Sequence, residues 1–111
     1  MKVVHKYEIQ SGVGEGIQLP QGARFLHVAG IDDKYWLWAE VNPAKPDVRA
    51  FIGVVITGVP LPDQAGLERQ GVVAFYNGPV YIDTIIMPDS DGSPFVGHVY
   101  HFGFAERGQF S

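Results

Sequence analysis

Arg49-Ala50-Phe51-Ile52-Gly53-Val54-Val55-Ile56-Thr57-Gly58-Val59 is the stretch on which the reading of this chain turns. In an extended strand, successive side chains point to opposite faces. Here both faces are apolar: Ala50, Ile52 and Val54 line one, Phe51 and Val55 the other. Such a strand needs cover on both sides and belongs at the centre of a sheet. Pro60-Leu61-Pro62 ends it.

Strand patterns lie on both sides of this centre. Residues 2–10 alternate as a half-buried strand, with His5, Tyr7 and Ile9 on one face, where the imidazole is a satisfied core group or the wall of a pocket, and Lys6 and Glu8 on the other. Gly12, Gly14 and Gly16 make residues 11–16 a turn, and 17–20 is a short extended piece. Residues 23–29 and 35–41 read as an antiparallel hairpin around residues 30–34. In its second strand Trp36, Trp38 and Glu40 share one face, and Tyr35, Leu37, Ala39 and Val41 the other. Residues 42–47 form a proline-containing loop. Residues 63–70 are the single helical candidate, capped by Asp63 and weakened by Gly66. Asn77-Gly78 predicts a hairpin between 72–76 and 80–87, with Pro79 making the connection irregular. Residues 88–94 read as a polar loop, 95–104 as the last strand, and 105–111 as a tail that frays unless Phe110 docks it.

Composition narrows the class. A chain of 111 residues, 46% hydrophobic and 18% charged, has the length and balance of one globular domain. Fourteen glycines and eight prolines without a collagen period punctuate many short elements, as an all-β chain requires. A net charge of -4 argues against binding a nucleic-acid backbone. The absence of cysteine removes disulfides, thiolate nucleophiles and sulfur-ligated zinc, and fits a reducing compartment. No apolar run approaches the roughly 20 residues of a membrane-spanning helix. One lysine followed by an amphipathic strand is not the pattern of a secretory signal.

Several motifs resolve into ordinary structure. The glycines at 12, 14 and 16 resemble a phosphate loop, but a proline-terminated extended piece follows, not a helix. Asp89-Ser90-Asp91-Gly92 begins like a calcium loop yet lacks its later acidic ligands. His98 and His101, three apart on a strand, point to opposite faces and do not chelate one ion unless a bulge at Gly97 or Gly103 turns one of them. The serines lie in loops or the tail, outside any nucleophile-elbow sequence. No metal site, cofactor or catalytic set is assigned.

The remaining chemistry is aromatic and basic. Trp36, Trp38, Tyr35, Tyr76 and Tyr81 offer flat stacking surfaces, and Arg24 and Arg49 offer guanidinium groups that hold phosphate. The candidate ligand-binding set is Arg24, Trp36, Trp38, Arg49, Tyr81, His98, Tyr100 and His101. Aromatics also fill small β-cores, and that reading stays open for each of them. Asp83 interrupts an apolar strand on the alternation face of Tyr81, Ile85 and Met87. If buried, it needs Arg24, Arg49 or a histidine as partner.

His5-Lys6-Tyr7-Glu8-Ile9, Leu19-Pro20-Gln21-Gly22-Ala23, Trp36-Leu37-Trp38-Ala39-Glu40-Val41, Thr57-Gly58-Val59-Pro60 and Val96-Gly97-His98-Val99-Tyr100 together resemble a small uncharacterised domain of tailed phages and prophages. The likeness runs over about residues 2–76. It departs at the segment between Phe75 and Phe95, at the tail, and at Gly97, where the pattern has a large aromatic. The resemblance implies a phage accessory protein acting in the bacterial cytoplasm, and carries no catalytic residues with it.

The expectation is a mainly antiparallel β domain over residues 1–111, a sandwich or small barrel of six to eight strands with at most one short helix. Half-exposed strands and two-sided aromatics imply a homo-oligomer. The functional expectation is a non-enzymatic binding protein, a counter-defence factor that sequesters a nucleotide signal or blocks a host protein. The alternatives are a small nucleotide hydrolase using His98 or His101 with Asp83 as orienter, and a virion or assembly component.

Overall fold

Eight strands, one short helix and a terminal 3-10 turn make up the fold: β1 (Val3–Ser11), β2 (Ile17–Pro20), β3 (Arg24–Ile31), β4 (Lys34–Val41), β5 (Asp47–Ile56), α1 (Gln64–Arg69), β6 (Val73–Ala74), β7 (Val80–Pro88), β8 (Pro94–Phe104) and the 3-10 turn Arg107–Gln109. The computed structural model describes residues 1–88 and 94–110. The Asp89–Gly92 motif and most of the polar loop expected at 88–94 lie outside the described residues.

The strands form one sheet in the order β3-β4-β1-β5-β8, with β2 beside β5 and both β6 and β7 beside β8. Pairing is antiparallel except for a short parallel junction of β1 with β5. At that junction Gly12 N–H donates to Val54 O at 2.8 Å. A Cβ at Gly53 would collide with the Gly12 carbonyl, so only glycine lets the two backbones meet there. The sheet curls into a half-barrel. Its outermost strands β3 and β7 meet through side chains, Met87 filling the space that Gly30 leaves.

β5 is buried on both faces, as its composition requires. Ile52 and Val54 join Ile9, Leu37, Val99 and Phe104 in the concave core. Phe51 and Val55 pack on the other side with Val13, Leu67, Val72 and Phe102. The helix α1 supplies Leu67 to that second cluster, and Gly66 N–H donates to Asp63 Oδ1 at 2.7 Å as the expected N-cap. The β3–β4 hairpin turns on Asp32 and Asp33, both at positive φ (53° and 62°), a conformation that Asp tolerates better than most residues. Leu37, Ala39 and Val41 face the core, while Trp36 and Trp38 lie half-buried on the convex side.

Three expectations are corrected. Residues 72–76 and 80–87 do not pair with each other across Asn77-Gly78. Instead β6 and β7 lie end to end along the eleven-residue β8. Pro79, which has no N–H to give, follows the turn directly, and the long β8 edge offers partners to both segments. Asp83 does not share a face with Tyr81, because the register of β7 shifts between them. His5 is neither core nor pocket wall but exposed, its ring 6.3 Å from that of Tyr7. Gly97 is buried where a Cβ would collide with Val54, and the Phe95 ring packs over it.

Candidate functional site

Three strands carry the same irregularity, and all three lie around His101. The register slips between Phe25 and His27 in β3, between Tyr81 and Asp83 in β7, and at Phe102 of β8, where His101 and Gly103 oppose the consecutive Ile52 and Phe51. Each extra residue puts side chains three apart on one face: Phe25 with Val28, Tyr81 with Thr84, His101 with Phe104. Bulges re-aim side chains in this way and favour the neighbourhood of sites. Gly103 makes the third bulge feasible. Its φ of 151° and the close Val73 carbonyl leave no room for a side chain.

The re-aimed residues build an aromatic mouth where β3 and β7 separate. The His101 ring lies 4.7 Å from Phe75, 4.9 Å from Phe104 and 5.4 Å from Phe25, each nearly perpendicular. Edge-to-face contacts of this kind set the positive edge of one ring against the negative face of another. Phe110 extends the cluster, 5.2 Å from Phe75 and 4.9 Å from Phe104. Two recesses open beside it. One, of about 170 Å³, is lined by Leu19, Phe25, Phe75, His101, Phe104 and Phe110 among others. The second, of about 370 Å³, shares Phe25, Phe75 and His101 and is rimmed by Val80, Tyr81 and Ile82. Among the described residues, no charged side chain lines either one. Exposed Val80 and Tyr81 lie around the opening.

His101 is 7% exposed, and this burial lowers its pKa to about 4, partly opposed by the Gly103 carbonyl. It is therefore neutral at pH 7. Its Nε2 lies 3.2 Å from Gly103 O, an acceptor, so Nε2 carries the proton and Nδ1 is left as an acceptor. The mouth thus offers four phenyl rings and, from His101, a side-chain hydrogen-bond acceptor.

His98, on the opposite face of β8, belongs to a polar chain. Its Nε2 lies 2.8 Å from Thr57 Oγ1 and its Nδ1 3.2 Å from Thr84 Oγ1, which is 2.5 Å from the Tyr81 hydroxyl. Tyr81 and Tyr100 pack edge-on at 5.7 Å beside it. The β7 bulge brings Tyr81 and Thr84 into this chain together. Asp83 accepts from Thr84 N–H at 2.8 Å. It is thus occupied by the backbone and not by either histidine.

The structure divides the eight candidates among four places. His101 lines the mouth. His98, Tyr81 and Tyr100 cluster on the other face of β8, with Tyr81 also reaching the rim. Arg49 donates from Nε to Glu15 O at 2.7 Å, and its Nη2 to the same oxygen, clamping the glycine turn. Arg24, Trp36 and Trp38 lie on the convex face of β3 and β4, where Lys6 covers the Trp36 ring at 4.4 Å and His27 lies 5.7 Å from Trp38. Neither arginine lines the mouth. Among the described residues, no three His, Asp or Glu groups come together in a metal-holding arrangement. Phe25, Phe75, Phe104, Phe110, Thr57 and Thr84 were not candidates from sequence. The Phe102-Gly103-Phe104 step was the one visible signal, since glycine inside a strand marks a bulge.

The family model described as a domain of unknown function (DUF7352) matches residues 1–107. No curated protein and no solved structure matches the chain.

Proposed function

The chain belongs to that family of unknown function, and from the geometry of the mouth we propose that it is a non-enzymatic binding protein that takes a flat ring from its partner. The observation that carries the reading is the uncharged aromatic mouth around a neutral His101. Phe25 and Phe75 flank the ring, and His101 Nδ1 accepts one hydrogen bond from it. A tyrosine hydroxyl or tryptophan indole N–H on a protein surface has this chemistry, and such residues anchor protein interfaces. Exposed Val80 and Tyr81 supply the apolar surround that a protein partner covers.

Catalysis has less support. His101 has no nucleophile or carboxylate in the lining of its recesses, and both ring nitrogens of His98 are engaged by threonine hydroxyls. Nucleotide capture is also the weaker reading, because a phosphate needs cations and both candidate arginines lie elsewhere. The phage-like sequence pattern supplies the setting: an accessory factor in the bacterial cytoplasm that blocks a host protein.

NMR titration with N-acetyl-tyrosinamide and, separately, with a cyclic dinucleotide tests the reading. Shifts centred on Phe25, Phe75 and His101 with the tyrosine probe, lost in His101→Leu, are the expected result. Tight, phosphate-dependent binding of the dinucleotide would overturn it in favour of a nucleotide sponge.

A further inference from the structure

The segment after β8 is held in an unusual way. Ala105 N–H donates to Arg49 O at 2.9 Å. Beyond it, the hydrogen bonds of the 3-10 turn are internal: Gln109 N–H to Glu106 O at 3.2 Å, and Glu106 N–H to Gln109 Oε1 at 3.1 Å. Among the described residues, the backbone of this turn therefore has its bonds within itself. What fixes it to the sheet is the Phe110 ring, set edge-on against Phe75 and Phe104. The segment is a strap with a hinge after Ala105 and one apolar latch.

The latch occupies a critical place. Phe110 is part of the wall of the 170 Å³ recess beside His101. It also lines a separate recess of about 360 Å³ formed with Gln64, Glu68, Val73, Tyr76 and Arg107. Among the described residues, it is the one common to the two linings. With the ring withdrawn, the uncharged aromatic mouth would run into a recess that has a carboxylate, a guanidinium and a fully exposed Tyr76.

We infer that Phe110 is a displaceable gate on the aromatic mouth, and that the ligand it yields to is an aromatic side chain carried on a polar peptide backbone. The inference rests on the reading of the mouth as a binding site. Its chemistry follows from the occupant already seated there: a phenyl ring following the polar segment Glu106–Gln109. A partner's aromatic residue displaces the ring and settles between Phe25 and Phe75 beside His101, and its flanking backbone amides meet Gln64, Glu68 and Arg107. Such a gate lowers affinity by the fraction of time that it stays open, and its removal restores the intrinsic affinity.

The test titrates full-length wild type and Phe110→Ala with N-acetyl-tyrosinamide, with binding read by NMR. Phe110→Ala should bind about tenfold more tightly if the latch is seated about nine-tenths of the time. Equal affinity overturns the gate while leaving the mouth as a binding site. Weaker binding in the variant also overturns it, because Phe110 is then a wall the ligand needs. Absence of binding in both proteins sinks the mouth and the gate together. Ring–ring NOEs in wild type provide a readout that does not depend on the variant folding. Saturating probe should remove the contacts of the Phe110 ring with Phe75 and Phe104, and retained contacts would count against displacement.

Discussion

His98 and His101 are three residues apart on one strand and live in different media. His98 is surrounded by hydroxyls, with Thr57 and Thr84 at its two nitrogens and Tyr81 one step further. His101 is surrounded by phenyl rings and has one backbone carbonyl as partner. The first imidazole is a link in a polar chain that solvent reaches. The second has lost its hydration, so its charged form is costly and the neutral form prevails. Residue type therefore says little about a histidine's role. The side of the sheet it faces, and what the opposing strands bring there, decides it.

The largest expected effect breaks the comparison on the apolar side. Phe104→Ala removes a buried ring that touches His101, Phe75 and Phe110, and should cost about 3–5 kcal/mol in urea denaturation. Tyr100→Ala, on the hydroxyl side and half-buried, should cost clearly less. Equal losses would mean that the two faces do not differ in packing as described.

Acid sharpens the contrast. An unfolded histidine titrates near 6.5, whereas His101 in the fold titrates at about 4. Between these values the unfolded chain binds the extra proton. The His101 contribution is thus fully present above pH 6.5 and is lost as pH falls towards 4, by up to roughly 3 kcal/mol. Urea midpoints of wild type and His101→Phe, compared from pH 7 to pH 4.5, check this. The difference in slope should belong to His101 and remain visible in a His98→Gln background.

A smaller effect is expected from the polar chain. Thr84→Val cuts the links to both His98 and Tyr81 and should cost about 1 kcal/mol. A double-mutant cycle with Tyr81→Phe should show coupling, since both changes remove one shared hydrogen bond. Strict additivity would mean the chain is not formed in solution. Smallest of all, Lys6→Gln on the tryptophan face should cost less than about 1 kcal/mol, measured by thermal denaturation, because the cation over the Trp36 ring is itself exposed to solvent.

Much of this arrangement was legible in the chain, for identifiable reasons. β5 announced itself because Ile52 and Val54 on one side and Phe51 and Val55 on the other leave no wet face. The opposite orientation of His98 and His101 followed from strand period alone, and Asp63 named the start of α1. The mouth was not legible. Its walls come from positions 25, 75, 101, 104 and 110, and two of the bulges that aim them, in β3 and β7, carry no glycine to mark them. Strict alternation placed Asp83 with Tyr81 because a single extra residue reverses every later side chain. Asn77-Gly78 misled for a related reason. A local turn signal says that the chain bends, but hydrogen-bond partners are settled by the longest available edge, here β8.

The position of β1 has a consequence for how the protein comes into being. This strand precedes both of its partners in the sequence, yet it is clasped between β4 and β5, pairing Val3 with Val41 and Ser11 with Val54. Its ladders are therefore not complete until residues 34–56 have been made. Until then an amphipathic strand waits with both edges open, and the half-barrel gains cooperative stability only when distant segments close on it. Domains dominated by such non-local pairing fold in milliseconds to seconds. A slow refolding phase should accordingly respond to substitutions along Tyr7 and Ile9 more than to changes in the β3–β4 hairpin, which assembles from neighbours in sequence.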